Sequence, residues 1–168
     1  VKSIFDNAQV FGSARVSGNA LLSGNAVVSG NAGVSGNAQV SGDAQVYGNA
    51  GVSDNAQVSG NAVVSGNALL YGNAKVSGDA KVSGDALLSG DALIEKTSDY
   101  IVIGPSKSSG RFTTAHKDSV IGVRVNCGCF SGSIDEFIKA IHETHKDNKE
   151  FQEEYLLFVA LIKNRFGV

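Results

Sequence analysis

From Ile4 onwards an aliphatic side chain returns every six residues: Ile4, Val10, Val16, Leu22 and so on to Leu88. Fifteen such units follow one another without insertion or deletion. Each aliphatic residue is followed by Ser (in most units), Gly, Asn or Asp, then an alanine (Ala8 through Ala92), and last a variable residue. Alanine, variable residue, aliphatic residue and serine therefore alternate inward and outward, which is the two-residue period of a strand. Gly-Asn and Gly-Asp then interrupt the strand with a turn, because glycine accepts positive φ and Asn or Asp can bond its own backbone. Asp6 and Asp54 replace the glycine, and aspartate is among the less costly side chains in the left-handed region. Paired hairpins would need longer arms than the roughly four residues available. The pattern predicts a coil of short strands joined by corners.

At Glu95 the period ends and the composition changes. Six of the eight Phe, all three His, both Cys and the single Pro lie beyond it. Residues 100–103, 111–116 and 120–126 read as strands, with Lys117, Asp118 and Ser119 as the turn between the last two, so a small antiparallel sheet is expected. Ser133 and Glu136 predict a capping box. Ile134, Phe137, Ile138 and Ile141 then share one helical face. Asp147 and Glu150 predict a second cap, ahead of a helix whose apolar face carries Phe151, Tyr155, Phe158, Val159, Ile162 and Phe166. Leu156, Leu157 and Leu161 lie off that face. So much apolar surface on so small a domain predicts burial against another copy or against the last coil.

The unit VSGNAL at 16–21, and the units like it, resemble the hexapeptide-repeat family, whose motif is aliphatic, small, two free positions, small, free. The resemblance implies a left-handed parallel β-helix with three units per triangular coil. The expected fold is mainly β: about five triangular coils over residues 1–94, roughly 24 Å tall at ~4.8 Å between strands. A small α+β domain over residues 95–168 would cap the helix and join in oligomerisation. An interior of Val, Leu and Ala leaves a bore that no ligand enters.

Every third unit falls in one corner column. The columns are Asn7, Asn25, Asp43, Asn61, Asp79; Ser13, Asn31, Asn49, Asn67, Asp85; and Asn19, Asn37, Asn55, Asn73, Asp91. Stacked amides can bond along the axis. The closing aspartates read either as a carboxylate ring for a cation or basic partner, or as charges that stop further stacking. Phe11, Val27, Tyr47 and Val63 form a stripe on one outer face. Leu69, Tyr71 and Leu87 stand on a second, beside Gly33 and Gly51, and the third is the most polar. Aligned exposed apolar side chains mark a contact surface, and the resemblance implies a homotrimer. These residues, with Phe151, Tyr155 and Phe158, are the expected oligomer interface. The string RVNCGCFSG at 124–132, with the acidic helix after it, resembles a domain appended to hexapeptide repeats in phage and prophage proteins. That resemblance implies a viral origin and brings no chemistry.

Charge and composition narrow the function. Fourteen Lys and Arg against sixteen Asp and Glu give a net charge of -2, which argues against a nucleic-acid binder. No apolar run approaches the ~20 residues that cross a bilayer, and residues 1–6 hold no apolar leader core. Cys127 and Cys129 are too close together for an ordinary disulfide staple. The expected compartment is the cytoplasm, that of a bacterial host if the chain is phage-encoded. No cofactor or metal is expected.

Acyl transfer is the activity that the hexapeptide resemblance implies, through a histidine base at a groove between subunits. No histidine precedes His116 and no loop interrupts the coils, so the hydroxyls of the coil have no base to activate them. The segment GPSKSSGR at 104–111 is rich in donors but lacks phosphate-loop spacing. Lys107, Arg111, His116 and Arg124 are the candidate ligands of a small, nucleotide-like anion at a subunit boundary. Cys127 and Cys129, read as alternate residues of a strand end, can pair with His116 as thiolate and imidazole or as part of a zinc site. The competing reading makes them small buried hydrophobes. His142 and His145, three apart on the first helix, read as solvated or as facing a partner or metal. The function expected is a non-enzymatic oligomeric scaffold or binding protein that sequesters a host factor. A small-anion binder, an acyltransferase-like enzyme and a cysteine enzyme are the alternatives.

Overall fold

The computed structural model describes residues 3–168, so readings that involve Val1 and Lys2 lie outside the described residues. The chain divides into two compact units, Val1–Thr97 and Ser98–Val168.

The first unit is a parallel β-solenoid. Fifteen two-residue strands, β1 (Gln9–Val10) to β15 (Leu93–Ile94), recur every six residues. They stack into three five-stranded parallel sheets, each built from every third strand. Register advances by one turn at each step, as in Gln9 against Val27 and Val27 against Gln45. The strands are shorter than the four-residue arms the alternation predicts. The serine already enters the turn: Ala20 N–H donates to the Ser17 carbonyl at 3.4 Å across Gly18 and Asn19. From Ala20 to Ile94 the inward aliphatic and alanine side chains are at most 1 % exposed. Close packing of this kind leaves no bore for a ligand.

Two features of the corners follow from their chemistry. Gly18 has φ +66°, and a Cβ there would stand 2.9 Å from the Gly36 carbonyl oxygen one turn on. Turns must nest, so the position favours glycine twice over. Asp6 and Asp54 nonetheless occupy it at φ 55° and 58°. Each sends Oδ2 to the backbone N–H of the glycine one turn later, Gly24 at 3.0 Å and Gly72 at 3.1 Å. This bond offsets part of the backbone strain.

The stacked amides form ladders with a direction. In every bonded step Nδ2 donates to Oδ1 one turn later. One column runs unbroken from Asn19 through Asn37, Asn55 and Asn73 to Asp91. A second runs from Asn31 through Asn49 and Asn67 to Asp85. In the third, Asn25 donates to Asp43 and Asn61 to Asp79. An ionised carboxylate only accepts, so aspartate suits the last rung, where no further amide needs a donor. This favours reading the closing aspartates as ladder ends over reading them as a cation ring.

The second unit opens with a four-stranded antiparallel meander: β16 (Tyr100–Ile103), β17 (Thr113–Asp118), β18 (Gly122–Cys127) and β19 (Phe130–Ser133). Helices α1 (Ile134–Thr144) and α2 (Lys149–Phe166) follow. The turn between β17 and β18 lies two residues later than the sequence predicts. Asp118 ends its strand by accepting the N–H groups of Val120 and Ile121, so the chain reverses beyond it. β19 is absent from the sequence reading; its residues, Phe-Ser-Gly-Ser, carry little strand signal. The Ser133–Glu136 capping box forms as predicted. The second cap is Asn148, one residue beyond Asp147, and its side chain accepts from Phe151 N–H.

Ala115, Val123 and Val125 on one face of the sheet pack with Ile134, Phe137 and Ile141 of α1 and Tyr155, Phe158, Val159 and Ile162 of α2. Tyr155 and Phe158 are thus core residues of their own unit, which corrects their expected place at an oligomer interface. Leu157 and Leu161 are the exposed apolar residues of α2. No helix among the described residues is long and apolar enough to cross a membrane.

Candidate functional site

The second unit holds an open pocket of about 490 Å³. Its floor comes from Phe130 on β19, Phe137, Ala140 and Ile141 on α1, and Phe151 and Tyr155 on α2. The rings touch in sequence. Phe130 lies 5.2 Å from Phe137, Phe137 meets Tyr155 edge-on at 6.2 Å, and His145 stacks on Tyr155 at 5.1 Å. Phe151 meets the His145 ring edge-on at 5.9 Å. A histidine read as solvated from its helical spacing is in this case a half-buried wall of the pocket. It reaches that place as the C-cap of α1, where the chain bends towards α2. His142 is exposed, in keeping with its solvated reading.

The rim is polar. Ser108, Ser109 and Arg111 come from the loop between β16 and β17. That loop is fastened to α2 at several points. The Tyr155 hydroxyl bonds Ser106 and Ser108 at 2.9 Å each. Lys107 N–H donates to both carboxylate oxygens of Glu154, and its ammonium pairs with Glu150 at 3.0 Å. Glu150 raises the Lys107 pKa through that hydrogen bond and its charge. Lys107 is therefore engaged in holding the loop down and does not line the pocket as an anion ligand.

Cys127 and Cys129 both line the pocket, but they do not alternate along one strand. Cys127 closes β18 opposite Phe130, and Gly128 and Cys129 form the two-residue turn into β19, with Gly128 at φ +61°. Cys127 is half-buried and its sulfur accepts from Thr113 Oγ1 at 3.2 Å, whereas Cys129 is exposed. The Arg111 side chain lies over the turn: its Nη1 would stand 2.6 Å from a Cβ on Gly128. Glycine at 128 thus serves both the turn and the approach of the guanidinium. Among the described residues Arg111 makes no ion pair.

His116 and Arg124 are not part of this pocket. They face one another across β17 and β18, on the side of the sheet opposite the Thr113–Cys127 pair, because neighbouring strand residues alternate. His116 is fully buried, with Nδ1 3.0 Å from the Lys117 carbonyl oxygen and Nε2 3.2 Å from the Asn126 amide nitrogen. Burial lowers its pKa below 6.5. A thiolate–imidazole pair between His116 and Cys127, one of the chemical readings of the cysteines, is therefore not formed. Arg124 Nε donates to Asp118 at 2.7 Å. Burial raises the Asp118 carboxyl, but the Arg124 bond and the Val120 and Ile121 N–H groups outweigh it and leave the pKa low. Of the four candidate anion ligands, only Arg111 stands at the pocket. Among the described residues, no three His, Cys, Asp or Glu side chains are grouped to hold a metal ion.

Three stretches of the solenoid, residues 14–30, 38–54 and 56–72, match the family described as the YdcK Beta solenoid repeat. Each covers about one turn, and their starts keep the six-residue phase. No curated protein and no solved structure matches the chain. The chain thus carries a repeat β-solenoid with a ligand-sized pocket in the unit that follows it.

Proposed function

We propose that the protein is a non-enzymatic binding protein: a rigid β-solenoid scaffold carrying a C-terminal unit that holds a small organic anion. The carrying observation is the pocket itself, where an aromatic floor faces an arginine that has no carboxylate partner among the described residues. Few polar groups around an apolar floor are the usual composition of a ligand site. Arginine suits a carboxylate or phosphate because its fork offers two parallel donors. The non-enzymatic reading of the solenoid draws support from its filled interior and from the absence of histidine before His116.

Isothermal titration with phenyl phosphate and 3-phenylpropionate, beside neutral benzyl alcohol, tests this reading. Binding of the anions alone, lost in Arg111→Ala, is the expected result. Equal binding of the alcohol, or unchanged binding by Arg111→Ala, overturns it.

The scaffold reading extends to self-association as a homotrimer through the solenoid faces. Its support is the exposure of Phe11, Tyr47 and Leu69, at 54, 42 and 47 %, with Val27 and Val63 half-buried beside the first two. Leu69 folds over Gly51, so the second face is less flat than two glycines suggest. Light scattering checks the assembly, and a monomer at micromolar concentration overturns it.

A further inference from the structure

Two thiols line the pocket beside Arg111. Cys127 and Cys129 flank Gly128, one held by Thr113 at the strand end and the other exposed at the tip of the turn. Arg111 lies across the glycine between them. A bridge between residues so near in sequence closes almost no loop, so it would add little chain-entropy stabilisation and would not serve as a staple. Two thiols lining one open pocket, one of them exposed, are suited instead to reversible exchange.

We propose that this turn is a thiol–disulfide exchange site for small anionic disulfides, with Cys129 as the entering thiol and Cys127 as the resolving thiol. Only the preference for anions rests on the binding role of Arg111 given above. Cys129, as thiolate, attacks one sulfur of the reagent RS–SR. The Cys129–S–SR bond forms, the reagent's S–S bond breaks, and RS⁻ leaves and takes up the proton that Cys129 lost. Cys127, as thiolate, then attacks the Cys129 sulfur. The Cys127–Cys129 bond forms, the mixed disulfide breaks, and the second RS⁻ leaves with the proton from Cys127. One disulfide is reduced to two thiols and the protein dithiol is oxidised. Arg111 holds the acid group of the reagent during the first step.

The test uses the full chain with dithiodiglycolate, a dicarboxylate, and cystamine, a diamine, followed by intact mass and released thiol. The wild type should lose two hydrogens and release two thiols per chain. Cys127→Ser should stop at the mixed disulfide, and Cys129→Ser should react far more slowly. Dithiodiglycolate should outpace cystamine by about tenfold, the order of one nearby charge in water, and Arg111→Ala should remove that preference. A wild type that rests at the mixed disulfide, or a Cys129→Ser variant that reacts at the wild-type rate, overturns the exchange. Equal rates for the two reagents overturn the anionic preference. Titration with phenyl phosphate then separates the causes: if it still binds through Arg111, the fault lies in the exchange chemistry and not in the anion site.

Discussion

Asn25 donates its side-chain amide to Asp43 at 2.8 Å, and the column of bonds breaks there. Asp43 has no proton to pass to Asn61, whose own amide is committed to Asp79 at 2.9 Å. Asp43→Asn should complete the column and raise stability by about 0.5 kcal/mol, the low end for an exposed hydrogen bond. Urea unfolding of the variant against the wild type measures it. An unchanged midpoint would show that the ladders contribute order without net stability.

Asp54 combines a strained backbone with a compensating bond to Gly72 N–H. Asp54→Gly removes both and should be close to neutral. Asp54→Ala keeps the left-handed backbone and loses the bond, and should cost about 1–2 kcal/mol. The difference between the two substitutions, read from thermal or urea unfolding, isolates what the carboxylate contributes.

Gly128→Ala introduces a Cβ where Arg111 Nη1 now lies, 2.6 Å away. The guanidinium is the far end of a flexible chain and can move, so the steric cost is small. The left-handed φ adds about 1 kcal/mol. Anion binding should weaken several-fold while the fold persists, with circular dichroism checking the second condition.

Tyr155→Phe keeps the ring stack with His145 and removes the hydroxyl that bonds Ser106 and Ser108. A loss of about 1 kcal/mol is expected. The 104–111 loop should also become more accessible to limited proteolysis, since Lys107 with Glu150 and Glu154 is then its main tie to α2.

His116 sets a pH dependence for the second unit. Burial holds its folded pKa below 6.5; the Lys117 carbonyl and the Asp118 charge pull it upward, and Arg124 pulls it down again. As pH falls below about 6.5 the unfolded chain takes up a proton before the native state does, so stability is lost on acidification. His116→Gln should flatten this decline below about pH 6.5, measured as urea midpoints on acidification from neutral pH. Asp118 adds a second loss at more acid pH, because its folded pKa also lies below its ordinary value.

The solenoid was legible because every unit repeats one solution. Val16, Gly18, Asn19 and Ala20 each occupy a role that is written fifteen times over, so period alone assigns inside, corner and face. The direction of the ladders was not legible, since it depends on which amide atom points along the axis. The pocket is the opposite case. Arg111 and the Cys-Gly-Cys string stood out by composition, but their setting depends on register. Placing Cys129 on a strand instead of in a turn follows from missing the short strand that opens at Phe130. His145 and Asn148 carry no sequence signal for the pocket beyond their position between two helices. They matter because the chain bends there.

Each axial amide bond joins residues eighteen apart, so the body is laid in interchangeable courses. A course copied or deleted whole leaves its neighbours with the same partners, and the finishing layer of aspartates travels intact. Duplication or deletion of whole courses can therefore lengthen or shorten the column in steps of ~4.8 Å, so its height is set by copy number.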